Sequence, residues 1–259
     1  MNKKTYPEFD AAKDKQKIVD FLKDWFAKNG SPNTKAVVGI SGGKDSSVAA
    51  ALCVEALGQE RVIGVLMPDG EQSDIDDAIH LVEHLGIGYT IINIGSVTRE
   101  LQQQAAGGKR CNGYTGIDLT PELVQNMPPR LRMTTLYAVA QGVTGGGRVI
   151  NTCNRSEDYV GYSTKFGDSA GDVAPLAAYT VSEVLAIGDV LGLPRELVHK
   201  APSDGLCGKT DEEKLGFSYA VLDEYIKTGV CEDEDTKVKI DRLHVMNKHK
   251  LELLPVVER

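Results

Sequence analysis

Apolar positions recur at helical spacing near the start of the chain. Over residues 14–28, Ile18, Phe21, Leu22, Trp25 and Phe26 fall on one face, which predicts an amphipathic helix. Asn29-Gly30-Ser31-Pro32 then supplies its stop signal. Three apolar runs of strand length follow, Ala36–Ile40, Val62–Met67 and Tyr89–Ile94, with helical patterns at 45–57 and 74–85 between them. A fourth short run, Val149–Thr152, comes after Gly145-Gly146-Gly147. Helical patterns over about 122–141, 180–191, 218–227 and 235–248 take up the remainder. Strands alternating with helices through short connections predict an α/β fold with a doubly wound parallel sheet flanked by helices. No linker or internal repeat divides the chain, so a single domain over 1–259 is expected. The stretch Val97–Arg110, with Cys111–Gly116 behind it, reads as a mobile loop able to close over a ligand.

Composition narrows the function classes. The 259 residues are 41% apolar and 25% charged, enough for a full core. A formal net charge of −8 argues against broad nonspecific nucleic-acid binding and leaves room for a local basic pocket. No apolar run approaches the roughly 18 residues of a membrane span. The charged start, Met1–Glu8, is unlike a secretory signal, so a cytoplasmic protein with no nucleic-acid or membrane partner is expected. Five cysteines, an odd number with no Cys-x-x-Cys spacing, read as free thiols. His80 and His84 lie four apart with no third ligand in view, and read as residues of a helix face.

The densest chemical signal is Val37-Val38-Gly39-Ile40-Ser41-Gly42-Gly43-Lys44-Asp45-Ser46-Ser47. A buried strand runs into a glycine-rich turn that opens a helix. Glycines let backbone close on an anion, the first helical N–H groups point at it, and the helix dipole assists. Asp45 would repel a bare phosphate, and makes sense if it holds Mg²⁺ against one. The run is neither Gly-x-x-x-x-Gly-Lys-Ser/Thr nor Gly-x-Gly-x-x-Gly, which disfavours a kinase-type loop and a nicotinamide dehydrogenase. Ser41–Ser46 resembles the pyrophosphate loop of the N-type ATP pyrophosphatases, which split ATP into AMP and pyrophosphate while activating a carbonyl or carboxylate. The fold this implies is Rossmann-like, of the adenine nucleotide alpha hydrolase kind.

A second constellation begins where the Val149–Thr152 run ends. It comprises Asn151-Thr152-Cys153-Asn154-Arg155-Ser156-Glu157, then Gly161–Asp168, then Asp172, Ala174 and Pro175. Glu157 is a candidate second carboxylate for the metal, and Lys165 a cation suited to a carboxylate or phosphate. This run resembles the deamido-NAD and ATP site of the NAD synthetase family. So do Asn126–Met133 with its Arg-x-Arg-Met, the stretch from Lys200-Ala201-Pro202-Ser203 through Thr210-Asp211-Glu212 to Tyr219, and the pair His249-Lys250. The resemblance covers roughly residues 15–255.

Carried over residue by residue, the resemblance implies that Gly39, Ile40, Ser41, Gly42, Gly43, Lys44, Asp45 and Ser46 contact ATP phosphates. It places Thr152 and Ser203 at the ATP site and makes Asp45 and Glu157 ligands of Mg²⁺. Arg130, Lys165, Asp172, His249 and Lys250 fall at the deamido-NAD site. The implied reaction is attack of a nicotinate carboxylate on ATP, giving an acyl adenylate, followed by aminolysis to NAD. Asp45, Lys165 and Asp168 are the catalytic candidates, Asp168 as acceptor of a proton from ammonium. Two departures stand out: Leu251 follows His249-Lys250 where the family commonly has arginine, and Val181 falls where many members carry lysine. The synthetase motifs begin by residue 39 and no nitrilase-type glutaminase domain precedes them, so free ammonia is the expected donor. A homodimer is expected too, with the helices at 122–141 and near the C-terminus as its contact. Competing readings are another pyrophosphate-loop ligase or thiolase, and a non-catalytic ATP-binding module. The missing tandem cysteines count against thiolation, and the paired carboxylates against a mere sensor.

Overall fold

The valine-rich run Lys35–Gly39 forms β1, with Ala36, Val37 and Val38 fully buried, as a strand covered on both faces requires. A computed structural model describes the chain over residues 6–71, 75–107, 117–199 and 210–257. In it β1 lies between β2 (Val62–Leu66) and β4 (Gly147–Ile150), and β3 (Gly88–Ile91) pairs with β2. All pairings are parallel, and the order is β3-β2-β1-β4.

Alternation along the strands sends side chains to two cores. Ala36, Val38 and Ile40 pack against α1 (Ala11–Asn29), α2 (Lys44–Leu57), α3 (Ile75–Leu85) and α7 (Val181–Val190). Leu22, Leu52, Leu66 and Leu81 are completely buried there, each worth about 1.5–3 kcal/mol of transfer free energy. On the other face Val37, Val65 and Val149 meet Leu136, Val139 and Ala140 of α5 (Pro121–Gly142). A third core gathers Val160, Val181, Leu215, Tyr219, Leu222 and Ile240. These come from α6 (Arg155–Val160), α7, α9 (Asp211–Leu215), α10 (Tyr219–Thr228) and α11 (Glu234–Asn247). The short α8 (Arg195–Val198) closes the first core.

From β1 the chain winds outward through α2, β2, α3 and β3. It then returns through α4 (Gly95–Ala106) and α5 to set β4 on the opposite side of β1. The winding reverses between β1 and β4, and the carboxyl ends of those two strands open onto one crevice, where ligands bind in doubly wound sheets.

Part of the stretch read as a loop is helical: α4 covers Gly95–Ala106, its start fixed by Asn93 Oδ1 accepting from Gly95 N at 2.9 Å. Residues 108–116 lie outside the described set. The third strand ends at Ile91, although Ile92 N and Ile94 N still donate to Leu66 O and Pro68 O. No described helix is long and apolar enough to cross a membrane.

Candidate active site

The loop after β1 is cross-braced by its own serines. Ser46 Oγ donates to Gly43 O at 3.1 Å and accepts from Ser41 N at 3.3 Å, while Gly43 N donates to Ser41 Oγ at 3.2 Å. Gly42 has φ +77°, and a Cβ there would stand 2.8 Å from Asp77 Cβ and 2.9 Å from Ala78 N of α3. Only glycine meets both demands. Gly43 caps α2, so the first turn of a 14-residue helix presents its N–H groups and dipole to the crevice.

The loop after β4 supplies the facing wall. Asn154 is completely buried as N-cap of α6, and its Oδ1 accepts from Ser156 N and Glu157 N, both at 3.0 Å. Glu157 completes a capping box by accepting from Asn154 N. The Asn154 Nδ2 donates to Asp45 Oδ1 at 2.9 Å. Asp45 and Glu157 therefore converge from the two strand ends, with Lys44 between them. Its Nζ lies 2.7 Å from Asp45 Oδ2, 3.7 Å from Glu157 Oε1 and 5.5 Å from the centre of the Tyr219 ring.

Burial works against the Lys44 charge, yet the attraction of Asp45 and then Glu157 more than offsets it, and its pKa rises. Burial and the neighbouring Asp45 raise the Glu157 pKa, against the pull of Lys44 and the Asn154 N–H. The Tyr219 hydroxyl, in the same cluster, is buried with no hydrogen-bond partner among the described residues. Two oxygen donors on facing elements beside a phosphate loop, with an orphaned hydroxyl near them, fit a hard divalent cation. Among the described residues no third His, Cys, Asp or Glu joins them in a metal-holding group.

The crevice has a volume of about 810 Å³, in the range of nucleotide-sized sites. The loop residues Gly39–Ser46 line it together with Thr152, Glu157, Asp168 and Lys250. Asp168 is open to the crevice and enclosed by protein elsewhere. That enclosure raises its pKa, against the Thr164 N–H at 2.9 Å and the Lys250 charge. Burial lowers the Lys250 pKa; its Nζ donates to Gly161 O and Ser163 O at 2.7 and 3.0 Å.

Arg130, Lys165 and His249 form a linked row beside the crevice. Arg130 Nε donates to Lys165 O at 3.3 Å, and Lys165 Nζ donates to His249 O at 2.8 Å. Between them Phe166 is the sole described non-glycine residue with positive φ, +59°, and its exposed ring flanks Lys165 Nζ. Asp172 stands apart. Its carboxylate accepts from Val149 N at 2.7 Å and Tyr137 Oη at 3.3 Å, and it lines a smaller cavity of about 310 Å³ with Asp158 and Leu251. Ser203 lies outside the described residues.

Asn154, Tyr219, Asp211 and Arg132 fall inside the family-like motifs of the sequence, which gave none of them a role of its own. Asp211 accepts from Tyr162 Oη at 3.1 Å, and Arg132 Nε donates to Met67 O at 3.1 Å; both line the crevice. The Asn-x-x-Glu capping pattern at 154–157 was the signal available for Asn154. Val181, first residue of α7, is buried in the core with Tyr219, so that turn presents no cation. Burial pushes the thiols of Cys53 and Cys153 up, to about 12 for Cys53, which leaves neither poised as a nucleophile.

Residues 15–255 match the family described as NAD synthase. The chain belongs to the NAD synthase family. An NH(3)-dependent NAD(+) synthetase of Archaeoglobus fulgidus is 36% identical over 248 residues, covering 93% of this chain and 94% of its own. Among solved structures, the NMN synthetase of Francisella tularensis superposes with a TM-score of 0.86 at 32% identity, covering 97% of this chain and all of that one. The NH3-dependent NAD synthetase of Campylobacter jejuni gives 0.74 at 26% identity over the same shares. As a NAD synthase family member the chain is a ligase.

Proposed function

We propose that the chain uses ATP to adenylate the nicotinate carboxylate of deamido-NAD and amidates it with ammonia, giving NAD, AMP and pyrophosphate. The observation that carries this reading is the convergence of a phosphate loop and two carboxylates at the switch point of a NAD synthase family chain. A carboxylate is a poor acylating group, and adenylation gives it a leaving group. The loop amides and the α2 dipole hold the phosphates and favour charge building on the departing pyrophosphate. Asp45 and Glu157 would hold Mg²⁺, which supplies positive charge to the same leaving group. Lys165, beside the exposed Phe166 ring, orients the nicotinate carboxylate. Asp168, with its raised pKa, takes a proton from ammonium, and the ammonia so formed attacks the acyl carbon to expel AMP.

Ammonia as donor accords with the NH3-dependent relatives from Archaeoglobus fulgidus and Campylobacter jejuni. We place the reaction in the cytoplasm, where its nucleotide substrates circulate. A homodimer is supported by apolar side chains left exposed in the two expected contact regions: Leu119 and Val124 at the start of α5, and Val238, Val245 and Met246 of α11.

A second acceptor is favoured by one observation. The NMN synthetase of Francisella tularensis superposes better than the Campylobacter jejuni NAD synthetase at equal coverage, 0.86 against 0.74. On that reading the carboxylate belongs to the deamido mononucleotide, and the residues and chemistry are unchanged. Separate incubations with deamido-NAD and nicotinate mononucleotide, each with ATP, Mg²⁺ and either ammonium or glutamine, decide between them. NAD and AMP in equal amounts with ammonium support the first reading. A higher kcat/KM for NMN formation supports the second. AMP without either amide assigns another acceptor, and no AMP contradicts both.

A further inference from the structure

Lys44 is the fourth residue of the phosphate loop, yet its side chain does not point to solvent. It is 6% exposed and lies 2.7 Å from one candidate metal carboxylate and 3.7 Å from the other. Neighbouring residues on a helix ordinarily face apart. Here Lys44 and Asp45, the first two residues of α2, turn into the same cluster, where the Tyr219 ring backs the ammonium group at 5.5 Å.

We propose that Lys44 is an internal cation that occupies the Asp45–Glu157 site until a divalent ion arrives with ATP, and then moves its charge to the ATP phosphates. This rests on the reading of Asp45 and Glu157 as metal ligands. Lys44 offsets only one of the two carboxylates, whereas a divalent ion in its place would balance both. An ammonium group and a divalent ion cannot both sit within contact of the same two carboxylates without strong mutual repulsion. The lysine stem is flexible, Lys44 lines the crevice, and the phosphate loop is its own backbone, so a triphosphate is the anion nearest to receive it. The exchange makes metal binding depend on nucleotide. Without ATP the metal must expel a buried cation to nowhere favourable. With ATP the displaced cation gains a partner.

Mn²⁺ titration of the full chain, followed by electron paramagnetic resonance, tests this without relying on turnover. Wild type is compared with Lys44→Met, which fills the same space without charge, in the absence of nucleotide and with α,β-methylene-ATP. The variant is expected to bind Mn²⁺ alone roughly tenfold or more tightly than wild type, a gap of about 1.4 kcal/mol. In the presence of the analogue the gap closes or reverses. Equal or weaker binding of Mn²⁺ alone by the variant overturns the inference and leaves the metal site standing. Failure of both proteins to bind Mn²⁺ with the analogue overturns the metal reading and the inference with it. Lys44→Gln gives the same comparison if the methionine variant does not fold.

Discussion

Asn154 reaches from beyond the end of β4 to the first turn of α2, where its Nδ2 donates to Asp45 Oδ1 at 2.9 Å. The same side chain caps α6 through its Oδ1, on which the Ser156 and Glu157 N–H groups converge. One buried amide therefore ties together the two strand ends between which the winding of the sheet reverses. It orients one candidate metal carboxylate directly and the other through the helix that carries it.

Substitutions at Asn154 separate those roles. Asn154→Ser keeps an oxygen for the cap and loses the bond to Asp45; Asn154→Ala loses both. The alanine variant is expected to be less stable than the serine variant by about 1 kcal/mol in denaturant unfolding. Both should bind ATP with Mg²⁺ more weakly than wild type. Equal stability of the two variants would show that the cap is not what Asn154 contributes.

Gly42→Ala places a side chain at φ +77° and 2.8 Å from Asp77 Cβ. The expected loss is about 1–3 kcal/mol, with a raised KM for ATP because the loop must shift to relieve the contact. A thermal melt and an ATP saturation curve check both. An unchanged KM would mean that the phosphates do not sit on this turn.

Asp158 lines the smaller cavity, and its Oδ1 is buried with no hydrogen-bond partner among the described residues. Burial, and after it the Asp168 charge, raise its pKa from 3.8 to about 6. The folded state therefore binds this proton more tightly than the unfolded chain. The stability so gained is full below about 3.8 and is lost as pH rises through about 6. Asp158→Asn is expected to be more stable than wild type at pH 7–8, by about 1–2 kcal/mol after discounting for partial solvent screening. The difference should vanish toward pH 4. Unfolding midpoints that track each other across this range would contradict it.

Lys165→Met tests the row beside the crevice. Loss of a positioned cation near the reacting carboxylate is expected to lower kcat roughly 100-fold and to leave the KM for ATP close to wild type. Steady-state kinetics with each substrate varied in turn give the answer. A raised KM for ATP with kcat intact would move Lys165 to the nucleotide phosphates.

Much of this architecture is legible in the chain because strong local patterns carry it. The run into Ser41-Gly42-Gly43 signals strand, turn and helix together, and α5 follows a long periodic pattern opened by Thr120 and Pro121. The α4 helix is not legible because it buries only Gly95 and Thr98, and its Gln102-Gln103-Gln104 run shows no apolar stripe. The six-residue α6 is too short for periodicity, though its capping box is written at Asn154 and Glu157. The two carboxylates are recognisable one at a time from their loops. That Lys44 stands between them is a fact of tertiary geometry, set by the parallel pairing of β1 with β4. Asp172 shows the opposite case, a carboxylate in a polar run whose oxygens the fold uses to hold Val149 of β4 and Tyr137.

In the proposed reaction the acceptor carboxylate is activated by bonding to the ATP α-phosphate. Deamido-NAD labelled with ¹⁸O in its nicotinate carboxylate, turned over with ATP and ammonium, tests this through mass spectrometry of the products. Acyl adenylation followed by aminolysis places one labelled oxygen in AMP and none in pyrophosphate. Label in pyrophosphate, or AMP formed without label alongside the amide, would contradict it.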